Sequence, residues 1–474
     1  MNKIGEWKMI NCKIIPKFIS IVLFSILLLS CANGDQKAIL GRWETTTKHD
    51  DREDTYIFKI DQDIWGKKFG TITTYMNGNL LPATRISKIE FDYPHFSMII
   101  ENPTVPLKYT GKMNDDKTKL IGKFDYINPN IASVNLTLTK NVVTRRIEEY
   151  IYQKPENREF VCNSASNAGL DEVALEDMIN SVRKNKYGLM NSILIFKNNS
   201  LILEEYFGGF RRDMLHQTQS ITKSVTSLLI GIAIDKGFIQ SVDDKALNYL
   251  SKTDHAEGWE DVTIKHLLTM TSGVEWKKSN NIWRNDETIT EILSKSIENE
   301  PGSRFRYNSA MQLLAEVLAN ASGEKLEVFA ENYLFHPLGI KEYQWTKSNK
   351  NDYPLCTGSL QLKSVDLLKI GILVLQNGNY HEIQIVSKDW IKESTSVQIE
   401  IPKNKEQHYG YLWWRGKVQT KSGDFDTIFA HGHGSQFIFV IPENNIIIVT
   451  TGNNLYNKKR LAPFKILKKY LKLI

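Results

Sequence analysis

The periodicity of apolar residues changes near residue 140 of the 474-residue chain. Before that point, segments such as LGRWETTTK, DTYIFKID and LIGKFDYI alternate apolar and polar residues at the spacing of half-buried β-strands. Beyond it, strand-like hairpins near both ends enclose several amphipathic helices. We therefore predict a small all-β, barrel-like domain over residues 37–142, a linker over 143–164 and an α+β domain over 165–474.

The composition is typical of a globular protein with a large core. Hydrophobic residues make up 41% of the chain and charged residues 24%. The 60 basic and 54 acidic residues give a net charge of +6 and are spread along the whole sequence. Because there is no basic stripe that would neutralise phosphates, nucleic acid is not expected as a partner.

Residues 1–31 are predicted to be an export signal. Several lysines precede the apolar run FISIVLFSILLLS, which is short for a membrane span. The following LLSC resembles a bacterial lipobox, which implies cleavage before Cys31 and lipidation of its thiol. The body would then be anchored by lipid to a bacterial membrane, on its periplasmic or cell-surface face. An uncleaved anchor helix is the alternative, and it also implies export.

Two cysteines, Cys162 and Cys356, remain in the exported body. An oxidising compartment would permit them to pair, but the sequence leaves their pairing open. There is no Cys/His cluster at the spacing of metal ligands, so neither a metal nor an organic cofactor is implied.

The pattern Ser-x-x-Lys occurs three times, beginning at Ser181, Ser220 and Ser322. In a lysine-rich chain the bare pattern has little meaning, so the surroundings must distinguish the copies. Only the copy at Ser220 leads into a nearly continuous apolar run, SVTSLLIGIAID, which predicts a helix buried on most sides. Lys223, in the first turn of that helix, would be costly to bury without a use.

This spacing suggests a nucleophile and its base. Residues three apart lie on one helix face, so the Lys223 amine can reach the Ser220 hydroxyl. Burial lowers a lysine pKa by up to about 3–5 units, which leaves an amine able to take the serine proton. The alternative is that Ser220 caps the helix while Lys223 extends to water.

Later segments place the Ser220 stretch in a wider pattern. They are VTIKHLLTMTSGVEW, PGSRFRYNSAMQLLAEVL, GSLQLKSVDLLKIGILVLQNG, YGYLWW and HGHGSQFIFVIPE. Over about 300 residues their order resembles the serine hydrolases of the class C β-lactamase and penicillin-binding-protein superfamily, particularly the esterase and 6-aminohexanoate-dimer hydrolase branch. The resemblance implies a β-lactamase/transpeptidase-like domain, an antiparallel sheet with helices. It does not cover roughly the first 150 residues.

The resemblance assigns catalytic roles to three residues. Ser220 matches the nucleophile, Lys223 its lysine, and Tyr307 in RFRYNS the tyrosine that shuttles protons. We expect the Lys223 ammonium to favour the anion of the phenol, which could then relay the serine proton to the leaving group. Alternatively, Tyr307 is a packing residue ahead of a helix.

The family also supplies an oxyanion donor from a strand bearing Lys-Thr-Gly or His-x-Gly. The nearest match is His433-Gly434-Ser435, followed by Gln436, with a serine where glycine is usual. His431 offers a second register, His431-Gly432-His433, two residues upstream. Both histidines could instead simply occupy a glycine-rich strand entry.

Two features bear on the substrate. Ser309 stands where penicillin-processing relatives have the asparagine of Tyr-x-Asn, which argues against β-lactamase activity. Aromatic residues near YGYLWW could form a pocket wall that suits an apolar acyl or linear amide chain, or could be core. They are Tyr409, Tyr411, Trp413 and Trp414.

The segments near the two ends of the mature chain each allow two functional interpretations. Gly41-Arg42-Trp43 resembles the Gly-x-Trp of lipocalin-like barrels, which implies a ligand carrier, but we favour a spacer or lid for this domain. The basic C-terminal stretch NKKRLAPFKILKKYLKLI could lie on an anionic membrane. The family architecture instead implies a terminal helix packed on the sheet, and we favour that arrangement.

The sequence thus predicts an exported serine hydrolase that cleaves a small-molecule carboxylic ester or linear amide through an acyl-enzyme on Ser220. One alternative is a D-peptidase or penicillin-binding enzyme that acts on cell-wall peptides. The other is a non-catalytic lipoprotein that binds a lipid or another ligand. The joint presence of Ser220, Lys223 and Tyr307 argues against the last, because a vestigial site would be expected to have lost one of them.

Overall fold

A computed structural model of the chain divides it into two units, residues 1–145 and 146–474. It describes residues 38–49, 52–62, 68–76, 79–80, 84–101, 107–126, 134–140, 150–157, 159–184, 186–208, 210–251, 254–276, 289–347, 353–402, 404–420, 423–455 and 459–471. The predicted signal, the lipidation site Cys31 and the first part of the predicted linker lie outside these residues.

The first unit is a curled antiparallel sheet, as its alternating segments predict. Each long strand pairs with its neighbours in sequence, and β9 pairs with β1. A further pairing joins β2, at one end of the sheet order, to β3, which precedes the short terminal strand β4, so the pairing of the long strands runs in a ring. The strands are β1 (Gly41–His49), β2 (Arg52–Gln62), β3 (Lys68–Met76), β4 (Asn79–Leu80), β5 (Thr84–Asp92), β6 (His95–Glu101), β7 (Leu107–Met113), β8 (Lys119–Tyr126) and β9 (Val134–Lys140).

Aromatic side chains fill the interior of this sheet. The buried ring of Tyr109 packs against Phe58, Phe96 and Phe124, with ring centroids 4.8–5.8 Å apart. Its hydroxyl lies 2.9 Å from two strand carbonyl oxygens, and the Trp43 indole donates to the Ile39 carbonyl at 2.8 Å. Side chains that occupy the interior in this way are typical of small barrels.

The second unit is built on an antiparallel sheet whose strands come from both ends of its chain. Its order is β11-β10-β22-β21-β20-β19-β18-β17. Both predicted hairpins are confirmed, as β10–β11 and β21–β22, and β10 pairs with β22, so the two ends share one sheet as expected. The strands are β10 (Met190–Lys197), β11 (Ser200–Tyr206), β17 (Ile399–Ile401), β18 (Asn404–Tyr409), β19 (Trp414–Thr420), β20 (Gly423–Gly432), β21 (Gln436–Ile441) and β22 (Ile446–Gly452).

Short strands lie outside this sheet. Three of them pair in the order β12-β14-β13, and two form a small ribbon. They are β12 (Leu215–Gln217), β13 (Gln344–Trp345), β14 (Leu360–Lys363), β15 (Asn379–Tyr380) and β16 (Ile383–Gln384).

Helices cover both faces of the large sheet. Along β10, Leu194 and Phe196 face one hydrophobic core, whereas Ile193 and Ile195 face the other, as strand alternation requires. The α-helices are α1 (Glu172–Arg183), α2 (Ile221–Asp235), α3 (Ile264–Leu268), α4 (Ile289–Leu293), α5 (Leu313–Ser322), α6 (Leu326–Ala330), α7 (Ser364–Leu375), α8 (Lys388–Ser394) and α9 (Ala462–Tyr470). The 3-10 helices are Ser166–Ala168, Ala246–Tyr249, Trp259–Asp261, Ala310–Gln312 and Pro442–Asn444, and Glu331–Phe335 is a π-helix.

The segments at the edges of the second unit are part of its core. Tyr150 and Tyr152, from the predicted linker, are buried in the same core as α1 and the C-terminal helix α9. That helix packs on the sheet, as expected. Cys162 and Cys356 are both free thiols. None of the helices in the described part of the chain combines the length and apolar character needed to cross a membrane.

The close approach of α2 to α8 depends on Gly231. A Cβ atom at this position would lie within the van der Waals surface of the buried Trp390 ring. We expect Gly231→Ala to destabilise the unit by about 1–2 kcal/mol, since overpacking outweighs the roughly 1 kcal/mol that alanine gains as a helix former. Thermal unfolding of the full chain measures this change. Adding Trp390→Leu should restore stability, and a raised melting temperature in the single variant would contradict the packing account.

Candidate active site

Ser220 lies at the border between the core and an open pocket. It immediately precedes α2, whose first turn is closed by bonds from the Ile221 amide to the Thr218 carbonyl at 3.2 Å and from the Thr222 amide to the Gln219 carbonyl at 3.1 Å. Residues 221–233 of the helix are all buried, which confirms the burial predicted from their composition. Ser220 itself is half-buried, so its hydroxyl remains accessible from the pocket.

Lys223 is directed back toward Ser220 from inside the core. Its side chain is 2% exposed, and Nζ lies 3.2 Å from Ser220 Oγ, to which it donates a hydrogen bond. A second bond from Nζ goes to the Thr357 carbonyl. Burial lowers the pKa of Lys223 to about 7, so an unprotonated amine is well populated at neutral pH.

Tyr307 completes a group of three side chains. Its hydroxyl hydrogen-bonds to the Ser220 side chain. The Nζ atom of Lys223 lies 5.1 Å from the centre of the Tyr307 ring. Burial raises the pKa of Tyr307 to about 12. The pKa of Tyr307 therefore moves opposite to the expectation of a phenolate, because desolvation of the phenol outweighs the lowering by its hydrogen bond with Ser220. Tyr307 is a neutral phenol at physiological pH.

A loop that sequence reasoning missed holds Lys223 in place. Leu355, Thr357 and Gly358 line the pocket, and the Thr357 carbonyl is the second partner of the lysine. The side chain of Gln312 holds this loop through two hydrogen bonds. Its Oε1 accepts from the Cys356 amide at 2.8 Å, and its Nε2 donates to the Pro354 carbonyl at 2.9 Å. The sequence does not indicate this contact, because every residue has a backbone carbonyl that could accept the hydrogen bond.

The end of β20 closes the other side of the pocket. Gly432 has no room for a Cβ, which would collide with the Thr218 carbonyl, and this close approach brings the strand against the segment before Ser220. His431 and His433 both line the pocket. Burial lowers the pKa of His431 to about 3 and also lowers the pKa of His433, so both rings are neutral.

Two predicted substrate contacts lie elsewhere. Ser435 is fully buried, and its hydroxyl donates toward the Lys459 and Arg460 carbonyls at 3.3 and 3.2 Å and accepts from Asn454 Nδ2 at 2.9 Å. Gln436 is buried and bonds to the backbone of Gly452 through both ends of its amide. Both side chains join the β20–β21 turn to its neighbours, so neither faces the pocket.

Gly434 and Ser309 are also outside the pocket lining. Gly434 occupies the turn with φ of 86°, where it packs against Leu455. Ser309 is 3% exposed and precedes the short helix Ala310–Gln312. Of the five residues predicted for oxyanion or substrate binding, His433 is the one that lines the pocket.

The other Ser-x-x-Lys copies do not form a comparable pair. Lys184 and Lys325 are both exposed. Ser322 donates to the Leu318 carbonyl at 2.8 Å, one helical turn back, and Ser181 is a buried residue of α1. Lys223 is the buried lysine among the three patterns, as the apolar surroundings of Ser220 predict.

The pocket has a volume of about 400 Å³ and a mostly apolar wall. Of the predicted aromatic wall, Trp414 lines it, whereas Tyr409, Tyr411 and Trp413 are fully buried core residues. Trp414 stacks on Tyr307 with ring centroids 5.9 Å apart. The complete lining is Gln219, Ser220, Tyr307, Leu355, Thr357, Gly358, Gln407, Trp414, His431, His433, Leu461 and Phe464.

Parts of the chain are similar to several curated bacterial proteins. Bacillus subtilis PbpX, named as a penicillin-binding protein, is 28% identical over 197 residues, which are 38% of this chain and 49% of PbpX. Esterase EstB of Burkholderia gladioli is 26% identical over 28% of this chain and 38% of its own length. The 6-aminohexanoate-dimer hydrolase of Paenarthrobacter ureafaciens is 20% identical over 55% and 71% of the two chains. The chain thus spans about half the length of PbpX.

The fold has counterparts among solved structures. A Bacteroides dorei protein named as a β-lactamase superposes with a TM-score of 0.55 and 21% identity, over 64% of this chain and 99% of its own. That likeness shows a β-lactamase-like fold. Residues 189–468 match the family model described as Beta-lactamase. Because this match covers more than half of the chain, the protein belongs to the β-lactamase family.

Proposed function

We propose that this protein is a serine hydrolase that cleaves a carboxylic ester or a linear amide through an acyl-enzyme on Ser220. The observation that carries this proposal is the buried Lys223 amine, 3.2 Å from the Ser220 hydroxyl and with a pKa lowered to about 7. An amine in that state can accept a proton at neutral pH, whereas an ordinary surface lysine cannot.

In the acylation step, Ser220 Oγ attacks the carbonyl carbon of the substrate while Lys223 takes the hydroxyl proton. The C–O or C–N bond to the leaving group breaks as the tetrahedral intermediate collapses. Tyr307, hydrogen-bonded to Ser220, gives its hydroxyl proton to the leaving group and recovers one from the Lys223 ammonium. A neutral phenol suits this donor role. Water then releases the acyl group by the reverse sequence.

Negative charge on the intermediate requires hydrogen-bond donors. We assign one to the backbone amide of Ser220, at the positive end of α2, and the other to the end of β20, next to His433. The close approach of Gly432 to Thr218 supports this assignment, because it brings the two backbones together where residues of both segments line one pocket. Because both histidines are neutral, these backbone amides would be the groups that stabilise the negative charge of the intermediate.

Relatives named as an esterase and as a 6-aminohexanoate-dimer hydrolase support the ester or linear amide substrate. The relative named as a penicillin-binding protein supports the second candidate, a D-peptidase or penicillin-binding enzyme that acts on cell-wall peptides. Covalent trapping of benzylpenicillin on Ser220 would favour that candidate. Export and lipidation at Cys31 remain predictions from the sequence, and mass spectrometry of the mature N-terminus would test them.

The nucleophile is tested with the full-length protein in detergent. We expect a fluorophosphonate probe to label Ser220 and short-chain p-nitrophenyl esters to be hydrolysed. Ser220→Ala should abolish labelling and lower kcat by at least about 10³-fold, since it removes the attacking atom. Ser322→Ala is the matched control and should leave the activity unchanged. Labelling that persists in Ser220→Ala would show that another residue reacts.

The pH dependence of kcat/KM tests the base. Lys223 must be unprotonated to accept the serine proton, so kcat/KM should rise about tenfold per pH unit below pH 7 and level off above it. Lys223→Arg should lose the activity, because the guanidinium stays charged. A rising limb near pH 4–5, or near pH 10, would instead assign the proton transfer to a carboxylate or to an ordinary lysine.

A further inference from the structure

The C-terminal segment contributes two apolar residues to the pocket. Leu461 immediately precedes α9 and is 41% exposed, although it is a large hydrophobic side chain. Phe464 lies in the first turn of the same helix, and both residues line the pocket. A partly exposed leucine beside a fixed aromatic ring at a pocket is a surface that an apolar ligand can cover.

The Phe464 ring is held rigidly by the sheet beneath it. It meets Phe429, Phe437 and Phe439 at centroid distances of 5.2–5.3 Å and interplanar angles of 80–87°. These are edge-to-face contacts, which favour one orientation of the ring. Phe464 therefore presents a preformed surface to the pocket, and a ligand would lose little entropy in ordering it.

The same aromatic array reaches the proposed proton shuttle. Trp414 stacks on Phe429 at 6.1 Å and on Tyr307 at 5.9 Å, so a continuous series of rings leads from Tyr307 to Phe464. Tyr307 protonates the leaving group in the proposed mechanism. The side of the pocket that continues from Tyr307 is consequently the side on which the leaving group lies.

The C-terminal segment is fixed at this position by the turn after β20. Ser435 donates toward the Lys459 and Arg460 carbonyls, and the His433 ring bonds to the Leu455 carbonyl. These contacts tie the backbone next to Leu461 to the strand that borders the pocket. The serine that departs from the family pattern therefore positions a pocket wall and does not contact the substrate.

The uncharged character of the pocket lining also favours an apolar ligand. The described residues that line the pocket include no carboxylate, ammonium or guanidinium, and burial keeps His431 and His433 neutral. A charged group placed inside would lose hydration without gaining a countercharge from the residues that line the pocket. Arg460, which precedes Leu461, is exposed and is not part of the lining, although its charge contributes to the lowered pKa of both histidines.

We infer that Leu461 and Phe464 are specificity residues that bind an uncharged, apolar leaving group, an alkyl or aryl alcohol or amine, against Trp414. This inference rests on the proposed hydrolase function and adds the chemistry of the leaving group to it. The scissile carbonyl would sit at Ser220, with the apolar chain directed past Trp414 toward Leu461 and Phe464.

Acetate esters of different alcohols test the inference with the full-length protein. Because all of them form the same acetyl-enzyme, the effect of the alcohol must appear in kcat/KM, which reports acylation. We expect kcat/KM to rise roughly tenfold or more from ethyl to octyl acetate. Phe464→Ala should remove most of that rise, and Leu461→Ala roughly a threefold part of it because the residue is partly exposed. Ethyl acetate should be affected little.

Three controls make the result specific. Phe425→Ala removes a partly buried ring that packs against the same core but is not among the residues that line the pocket, so it should leave the chain-length dependence unchanged. A series of ethyl esters with longer acids should be insensitive to Phe464→Ala. The acetate ester of an ω-hydroxy acid, whose far end is a carboxylate, should be a poorer substrate than octyl acetate.

Each contrary result has a distinct meaning. Equal chain-length dependence in Phe464→Ala and the parent overturns the inference, and so does a response confined to the acid series. A preference for the carboxylate-ended ester that disappears in Arg460→Gln would show a charged leaving group instead. If neither these esters nor the corresponding N-alkyl acetamides are turned over, the proposed function fails, but calorimetric binding of octyl acetate to Ser220→Ala, with and without Phe464→Ala, still tests the apolar surface. Equal affinity in those two proteins would overturn it.

Discussion

The burial of the Lys223 amine is the constraint on which the candidate site depends. Its bonded partners in the described part of the chain are the Ser220 hydroxyl and the Thr357 carbonyl, and neither carries a countercharge. Removing an ammonium from water under these conditions is unfavourable, so the proton affinity of the amine falls. The cost of burial and the ability to act as a base therefore have one physical cause.

Several distant segments maintain that environment. The apolar body of α2 places Lys223 in the core, Gln312 fastens the loop that carries Thr357, and Gly432 allows β20 to approach the start of the helix. The same desolvation acts on Tyr307 and raises the pKa of its phenol. A proton relay between an amine and a neutral phenol follows more directly from these surroundings than one that begins from a phenolate.

Features with a local signal were predictable from the sequence. Strand alternation indicated both hairpins and the N-terminal sheet, and the apolar continuation after Ser220 distinguished it from Ser181 and Ser322. Ser435 shows the limit of this reasoning. Motif position put it at the substrate, but the backbone at φ of 83° turns its hydroxyl toward the C-terminal segment. A motif specifies residue order, whereas the direction of a side chain depends on the backbone around it.

The sequence by itself determined the two-part organisation, the buried helix and the pairing of Ser220 with Lys223, because these follow from periodicity and from spacing along one helix. Only the tertiary structure decided which groups surround that pair. Leu461 and Phe464 reach the pocket from the far end of the chain, and Thr357 contributes a carbonyl rather than a side chain. Neither arrangement has a local pattern, since each arises when segments remote in sequence pack around a common core.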